Sequence, residues 1–271
     1  MSNHSSSQNT SFFQPDRVPF SHGQPSQFAQ FTAAATQGYQ PRPQIPATTT
    51  AAALVPRPID TPPQSNKLFL PPDITVTAYL SQLDKRQYIL PLPPQQFNLE
   101  NVKGLRFASA DSLMIEARDI YDEVAGTFQW EMCESQSERC IKFIQEKCAN
   151  KRVFLVTSGG LGHTIIPAVH DLPQVYAIYI FCGTMEYHLP LQSKFSKVRV
   201  VCSHDDYYLI PQLAVDVAQA NIDWGDALVA KGDRAKAKEK FEKALTNLEK
   251  YAKRPDPIMI TQVKTKLEQC K

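Results

Sequence analysis

Short apolar runs and longer stretches with helical spacing alternate along the chain from Leu105 onward. The runs have the length and β-branched content of strands. They are Leu105–Ser109, Phe128–Met132, Arg152–Ser158, Val175–Cys182 and Lys197–Ser203. After four of the runs, apolar residues are spaced as on the buried face of a helix, and a short polar helix is predicted after Val175–Cys182, around Tyr187–Phe195. Five strand-helix units in a row predict an α/β fold in which helices cover a five-stranded parallel sheet.

The hydrophobic character of the strands also predicts their order. Arg152–Ser158 and Val175–Cys182 are almost wholly apolar, which is typical of strands that are covered on both faces. Phe128–Met132 alternates apolar and polar residues, which fits an edge strand. The flavodoxin-like order 2-1-3-4-5 satisfies these conditions. It makes the first strand central, so Arg106 in that strand needs an outlet to solvent.

Local signals predict where the first two helices begin and end. Apolar spacing predicts a helix over Asp111–Val124, with Ile120 on its inward face. Gly126 is expected to end this helix, since glycine is favoured just after a helix C-terminus. Ser135 and Glu138 have the spacing of a capping box, which predicts the start of the next helix.

The N-terminal part of the chain has a different composition. Residues 1–66 contain only five charged residues, and twelve of the 21 prolines lie at or before Pro72. Such a segment buries too little apolar surface to offset its ordering entropy, so we predict a disordered arm. Residues 67–100 are predicted to be a partly ordered linker whose apolar residues between Leu80 and Leu90 dock on the α/β domain. That domain is expected to cover residues 101–217.

Residues 218–271 are predicted to form a helical hairpin followed by a capping helix. Small and aromatic residues recur there at fixed spacing: Trp224, Gly225, Leu228, Gly232, Ala237, Phe241 and Ala244. Over residues 218–251 this spacing resembles one tetratricopeptide repeat, although Glu249 replaces the closing proline. The alternative is a generic hairpin with solvated basic faces. A single repeat cannot bury its own face, so it is expected to pack on the α/β domain, on a second copy or on a partner. Trp224, Leu228, Phe241 and Leu245 are predicted to form this interaction face.

Charge and cysteine content narrow the function classes. The chain has a net charge of +2, with +6 in residues 231–271 and −4 in the remainder. This balance does not favour a nucleic acid or a membrane as partner, although the basic tail leaves RNA or an acidic partner as an alternative. The N-terminus lacks the features of a secretory signal. Because the six cysteines form no CxxC pair, we predict reduced thiols, a cytoplasmic location, and neither metal nor cofactor.

Ligands of parallel sheets bind beyond the carboxyl ends of the strands. The residues that could form an anion pocket there are Ser109, Asp111, Ser158, Gly159, Gly160, His163 and Thr184. Backbone amides at the start of the helix after Ser158 would supply donors for an anion. However, the sequence SGGLGH is neither a dinucleotide fingerprint nor a Walker loop. The alternative is a tight strand-to-helix turn in which Ser158 caps the helix.

The five-unit pattern is similar to bacterial receiver domains, but the phosphoacceptor position at the end of the third strand holds Ser158. The resemblance therefore implies the shape of a receiver without phosphotransfer. Residues 105–217 also resemble a module of invertebrate, rotifer-like multidomain proteins, through SGGLGH, HDLPQ and IYIFC. That resemblance implies no catalytic residues. His170 and Asp171 are interpreted as a poor catalytic pair, because adjacent helical residues point in different directions.

These observations lead to one principal functional hypothesis. The chain is predicted to be a non-enzymatic scaffold that binds protein partners, or a second copy of itself, through the helical hairpin. The alternative hypothesis is a switch or enzyme that binds a nucleotide or another anion at the SGGLGH turn.

Overall fold

A computed structural model describes residues 70–111 and 117–271 of the chain. The predicted disordered arm, residues 1–66, lies outside the described residues. So do residues 112–116, which belong to the first predicted helix of the α/β domain.

The described strands form one five-stranded sheet in which every neighbouring pair is parallel. They are β1 (Leu105–Ser109), β2 (Trp130–Met132), β3 (Arg152–Ser158), β4 (Val175–Phe181) and β5 (Val198–Cys202). Their order is β2-β1-β3-β4-β5, which confirms the predicted order. The apolar strands β3 and β4 are buried along six of their seven residues, as strands covered on both faces require.

Helices connect and cover these strands. They are α1 (Val76–Lys85), α2 (Arg118–Ala125), α3 (Ser137–Lys142), α4 (Gly159–Val169), α5 (Leu189–Lys194), α6 (Ile210–Ala230), α7 (Arg234–Thr246) and α8 (Pro257–Gln269). Helix α2 packs with α6, and α3 packs with α4. Right-handed crossovers place these two pairs on opposite faces of the sheet. Among the described residues, no helix has both the length and the apolar content needed to cross a membrane.

Helix α6 is shared by the sheet and the C-terminal helices. Residues 210–223 are buried without interruption. Leu213 and Val217 belong to the core of the sheet, whereas Val215 and Ala218 belong to the core formed with α7 and α8. The predicted domain boundary at residue 217 therefore falls inside a continuous helix.

The segment before β1 is held by carboxylates of α6. Asp216 accepts a hydrogen bond from the Leu92 amide (3.1 Å), and Asp223 accepts one from the Gln95 amide (3.1 Å). Within the predicted docking segment, Ile89 is buried, but Leu90 is 48% exposed, so the expectation for Leu90 was wrong. These carboxylates fix an extended segment that lacks strand partners of its own in the described residues.

Several local predictions were wrong or incomplete. Helix α2 begins at Arg118, and Ile120 is 39% exposed because Tyr121 and Val124 form the buried face. Gly126 follows this helix with a positive φ of 73°, as predicted. The prediction of a capping box at Ser135 and Glu138 was wrong. Ser135 has a φ of 62°, and α3 starts after Gln136 without a side-chain cap. As expected, Arg106 reaches the surface, where its Nη2 lies 3.4 Å from Glu131 Oε2.

Candidate functional site

Asp111 joins the ends of β1 and β3 at the carboxyl edge of the sheet. Its Oδ2 accepts a hydrogen bond from the Ser158 amide at 2.7 Å. The hydroxyl of Ser109 donates to the Asp111 carbonyl at 2.8 Å, and both Ser109 and Asp111 are buried. The structure therefore brings three of the predicted pocket residues together. Their polar groups satisfy one another, and the Ser158 amide that an incoming anion would need already binds a carboxylate.

The turn after β3 starts α4 in the way that the simpler interpretation predicts. Ser158 is the N-cap, and its Oγ accepts a hydrogen bond from the Leu161 amide at 3.4 Å. Gly160 is exposed, and a Cβ added there would meet no atom within 4 Å. Thr184 is also exposed and forms no hydrogen bond to the other predicted pocket residues within the described chain. Gly160 and Thr184 therefore line open surface.

His163 and His188 form a pair of imidazoles at the same edge. His163 Nε2 and His188 Nδ1 are 3.1 Å apart, with ring centroids separated by 5.2 Å. His188 rests against Gly159, where an added Cβ would come within 2.3 Å of its ring. Burial and the neighbouring His163 lower the pKa of His188, so this ring is neutral at neutral pH. The two rings therefore face each other through one nitrogen atom each.

Cys182 lies at the end of β4 and is buried. Burial raises the pKa of its thiol to about 11, with a further contribution from Glu186. The nucleophilic thiolate is therefore scarce at neutral pH. Cys182 packs as an apolar side chain.

A second histidine contact lies at the amino edge of the sheet. His170 Nδ1 is 2.9 Å from Asp171 Oδ1, and His170 Nε2 is 3.2 Å from Ser196 Oγ. The expectation that His170 and Asp171 point apart was therefore wrong, because His170 lies at the last turn of α4, where Asp171 has left the helix. Asp171 is 94% exposed. This arrangement ties the end of α4 to the start of β5.

The predicted interaction face of the hairpin packs within the chain. Phe241 and Leu228 are buried among α6, α7 and α8, and Leu245 packs against the same cluster. Trp224 stacks on Phe97 with ring centroids 5.0 Å apart. A Cβ at Gly225 would come within 2.4 Å of the Phe241 ring, so the small residue permits the close helix crossing. The face is covered by the linker and by α8.

The outward face of α8 is uncharged over most of its length. It borders a shallow groove of about 460 Å³ lined by Pro257, Ile258, Thr261, Gln262, Thr265, Lys266 and Gln269. Ile258 is 66% exposed. The hydroxyls of Thr261 and Thr265 donate to carbonyls of their own helix at 2.9 and 3.0 Å, so these donors are already used within α8. The α8 face therefore offers fewer free hydrogen-bond donors than its sequence suggests.

Two of these features were missed by sequence reasoning. His188 was not recognised as a partner of His163, because 25 residues separate them and the contact depends on the fold. A signal existed, since both follow neighbouring strands at one edge of the sheet. The α8 face also had a signal, namely uncharged residues at helical spacing in a strongly charged tail.

Comparison with known proteins gives no relative for this chain. No protein-family model, no curated protein and no solved structure matches it.

Proposed function

We propose that the protein is a non-enzymatic interaction module whose α8 face binds an amphipathic helix of another protein, with acidic residues beside its apolar stripe. The exposed Ile258, in a groove whose threonine hydroxyls already bond within α8, carries this proposal. Apolar side chains presented in a groove are the usual receptor for the apolar stripe of a helix. The α/β domain serves as the rigid support.

The positive charge of the C-terminal tail favours a partner with acidic residues. Residues 231–271 carry a net charge of +6, so a partner with acidic flanks is attracted to this end of the chain. Self-association through the same face is less favoured, because a two-fold interface would bring two basic tails together. Lys266, at the rim of the groove, already pairs with Asp226 at 2.6 Å. The positive charge that faces the partner therefore comes from the other basic side chains of the tail.

The alternative of an anion-binding switch has less support. Its principal donor, the Ser158 amide, binds the Asp111 carboxylate. The receiver-like architecture fits a scaffold, since Ser158 stands at the phosphoacceptor position. The six free cysteines support a reducing, cytoplasmic compartment as part of the same proposal.

A labelled helical peptide with a leucine stripe and glutamate flanks tests the proposal by fluorescence anisotropy. The full chain is expected to bind it, and Ile258→Glu is expected to weaken binding by about 10- to 100-fold, the value of burying one such side chain. Tyr187→Glu is the matched control, because it places the same charge on another exposed apolar residue. Equal binding by Ile258→Glu, or equal binding of the same peptide with lysine flanks, would refute the proposal.

A further inference from the structure

We propose that His163 and His188 form a binding site for a divalent late transition-metal ion such as Zn²⁺, Ni²⁺ or Cu²⁺. The two nitrogens that face each other are His163 Nε2 and His188 Nδ1, and they are 3.1 Å apart. Imidazole nitrogens bind such ions at about 2.0–2.1 Å. An ion at that distance from both nitrogens would have an N–metal–N angle of about 100°, between the tetrahedral and square-planar values.

Binding requires that one hydrogen atom shift and that the two rings turn so that both facing lone pairs point at the ion. In the metal-free pair, one of the facing nitrogens carries the hydrogen that the other accepts. When the ion binds, this hydrogen moves through solvent to the outer nitrogen of the same ring. Both facing lone pairs then become ligands.

The surroundings leave room for the ion and its remaining ligands. His163 is exposed, and His188 is half-buried. Gly160, one helical turn before His163, has open space where a side chain would be. Among the described residues, no group of three or more histidine, cysteine or acidic side chains could hold a metal ion. Water or an added ligand would therefore complete the coordination, as in open metal sites.

Gly159 fixes the position of the second ligand. The ring of His188 lies so close to Gly159 that an alanine Cβ would come within 2.3 Å of it. Gly160 is the next residue of the same helix turn, and a Cβ there meets nothing within 4 Å. Gly159→Ala should therefore move the His188 ring away from His163 although both histidines remain in the sequence. Gly160→Ala should leave the ring where it is.

Titration of the full chain with Zn²⁺ against a chromophoric chelator tests the site. His163→Ala, His188→Ala and Gly159→Ala are each expected to weaken binding at least about tenfold, since loss of even a supporting group costs that much at metal sites. His204→Ala, another exposed histidine at this edge, and Gly160→Ala are expected to stay within about twofold of the unmodified chain. Mg²⁺ in excess is not expected to compete, because it prefers oxygen ligands.

Two results of this titration would overturn the proposal. If His163→Ala and His188→Ala bind Zn²⁺ as tightly as the unmodified chain, the pair is not the site. If Gly159→Ala binds as Gly160→Ala does, the facing geometry of the two rings is not what holds the ion. Circular dichroism of each variant separates loss of a ligand from loss of the fold, and His188→Gln, which keeps a polar side chain of similar size, replaces any variant that unfolds.

Discussion

The stability of this fold depends on pH through one buried charge, Lys197. This residue lies beside the histidine contact at the amino edge of the sheet. It is 5% exposed, and its Nζ donates to the Leu172 carbonyl at 2.7 Å. Burial lowers the pKa of Lys197 to about 8, and the Asp171 carboxylate opposes this shift only in part. The ammonium group is therefore held where water solvates it poorly, and its charge destabilises the folded chain below that pH.

The sign of the pH dependence follows from the two pKa values. Between about pH 8 and pH 10.5 the unfolded chain binds the Lys197 proton and the folded chain does not, so this residue makes the free energy of unfolding rise with pH. Lys197→Met is expected to remove that rise, measured as the difference between urea unfolding curves across this range. Lys194→Met, at the exposed lysine that ends α5, is the control. An unchanged slope in Lys197→Met would contradict the assignment.

At the scale of elements, α6 joins the sheet to the linker through buried ion pairs. Asp216 pairs with Arg199 at 2.8 Å, and Asp223 pairs with Arg152 at 3.2 Å. Arg152 also donates to the Gln96 carbonyl at 3.2 Å and lies over the Phe97 ring. Each pair therefore connects a strand, the helix and the extended segment before β1.

Removal of one partner should be costly. Arg152→Met is expected to lower the free energy of unfolding by about 3–5 kcal/mol, because it leaves Asp223 buried without its cation. The loss should be smaller at pH 5 than at pH 8, since burial raises the pKa of Asp223 to about 6, so at pH 5 it is mostly neutral. The double variant Arg152→Met/Asp223→Leu should be more stable than Arg152→Met at pH 8. Arg118→Met, which breaks an exposed pair, is the control and should cost less than about 1 kcal/mol.

The elements differ in how far the sequence predicts them. The strand order follows from sequence because β3 and β4 are apolar on both faces, a signal contained within each strand. The start of α3 does not follow, because the chain adopts a positive φ at Glu134 and Ser135 just where a capping box was expected.

The carboxyl edge was predicted in part. Its residues were identified from the strand ends, and Ser158 was recognised as a possible cap. The use of Asp111 as an internal ligand of the Ser158 amide was not predictable, because it depends on the distance between two strands that are 47 residues apart in sequence. For the Trp224 and Phe241 face, the sequence left open whether the α/β domain, a second copy or a partner covers it, since the linker and α8 that lie on it come from opposite sides of the repeat.

For the described chain as a whole, the sharing of α6 predicts cooperative unfolding. Its buried residues belong to both cores, so loss of the C-terminal helices would expose apolar surface that also supports the sheet. The two tryptophans report on different places, since Trp130 lies in β2 within the sheet core, whereas Trp224 packs where the sheet core meets the helical cluster.

Single-tryptophan variants test this cooperativity. In urea, the fluorescence of Trp224 in Trp130→Phe and of Trp130 in Trp224→Phe should each follow the same curve as the circular dichroism of that variant. A Trp224 transition at lower urea than the circular dichroism transition would mean that the boundary between the two cores opens before the rest unfolds. That result would contradict a single cooperative unit.

The contact between Asp111 and the Ser158 amide has a consequence for the engineering of anion binding at this edge. A tethered carboxylate is present at its acceptor position whatever the solution contains, so any soluble anion must displace an intramolecular competitor before it can bind there. Shortening or removing the Asp111 side chain would leave the Ser158 amide free to bind an anion from solution. The chain thus offers a scaffold in which an anion receptor could be created by deletion of a group already in place.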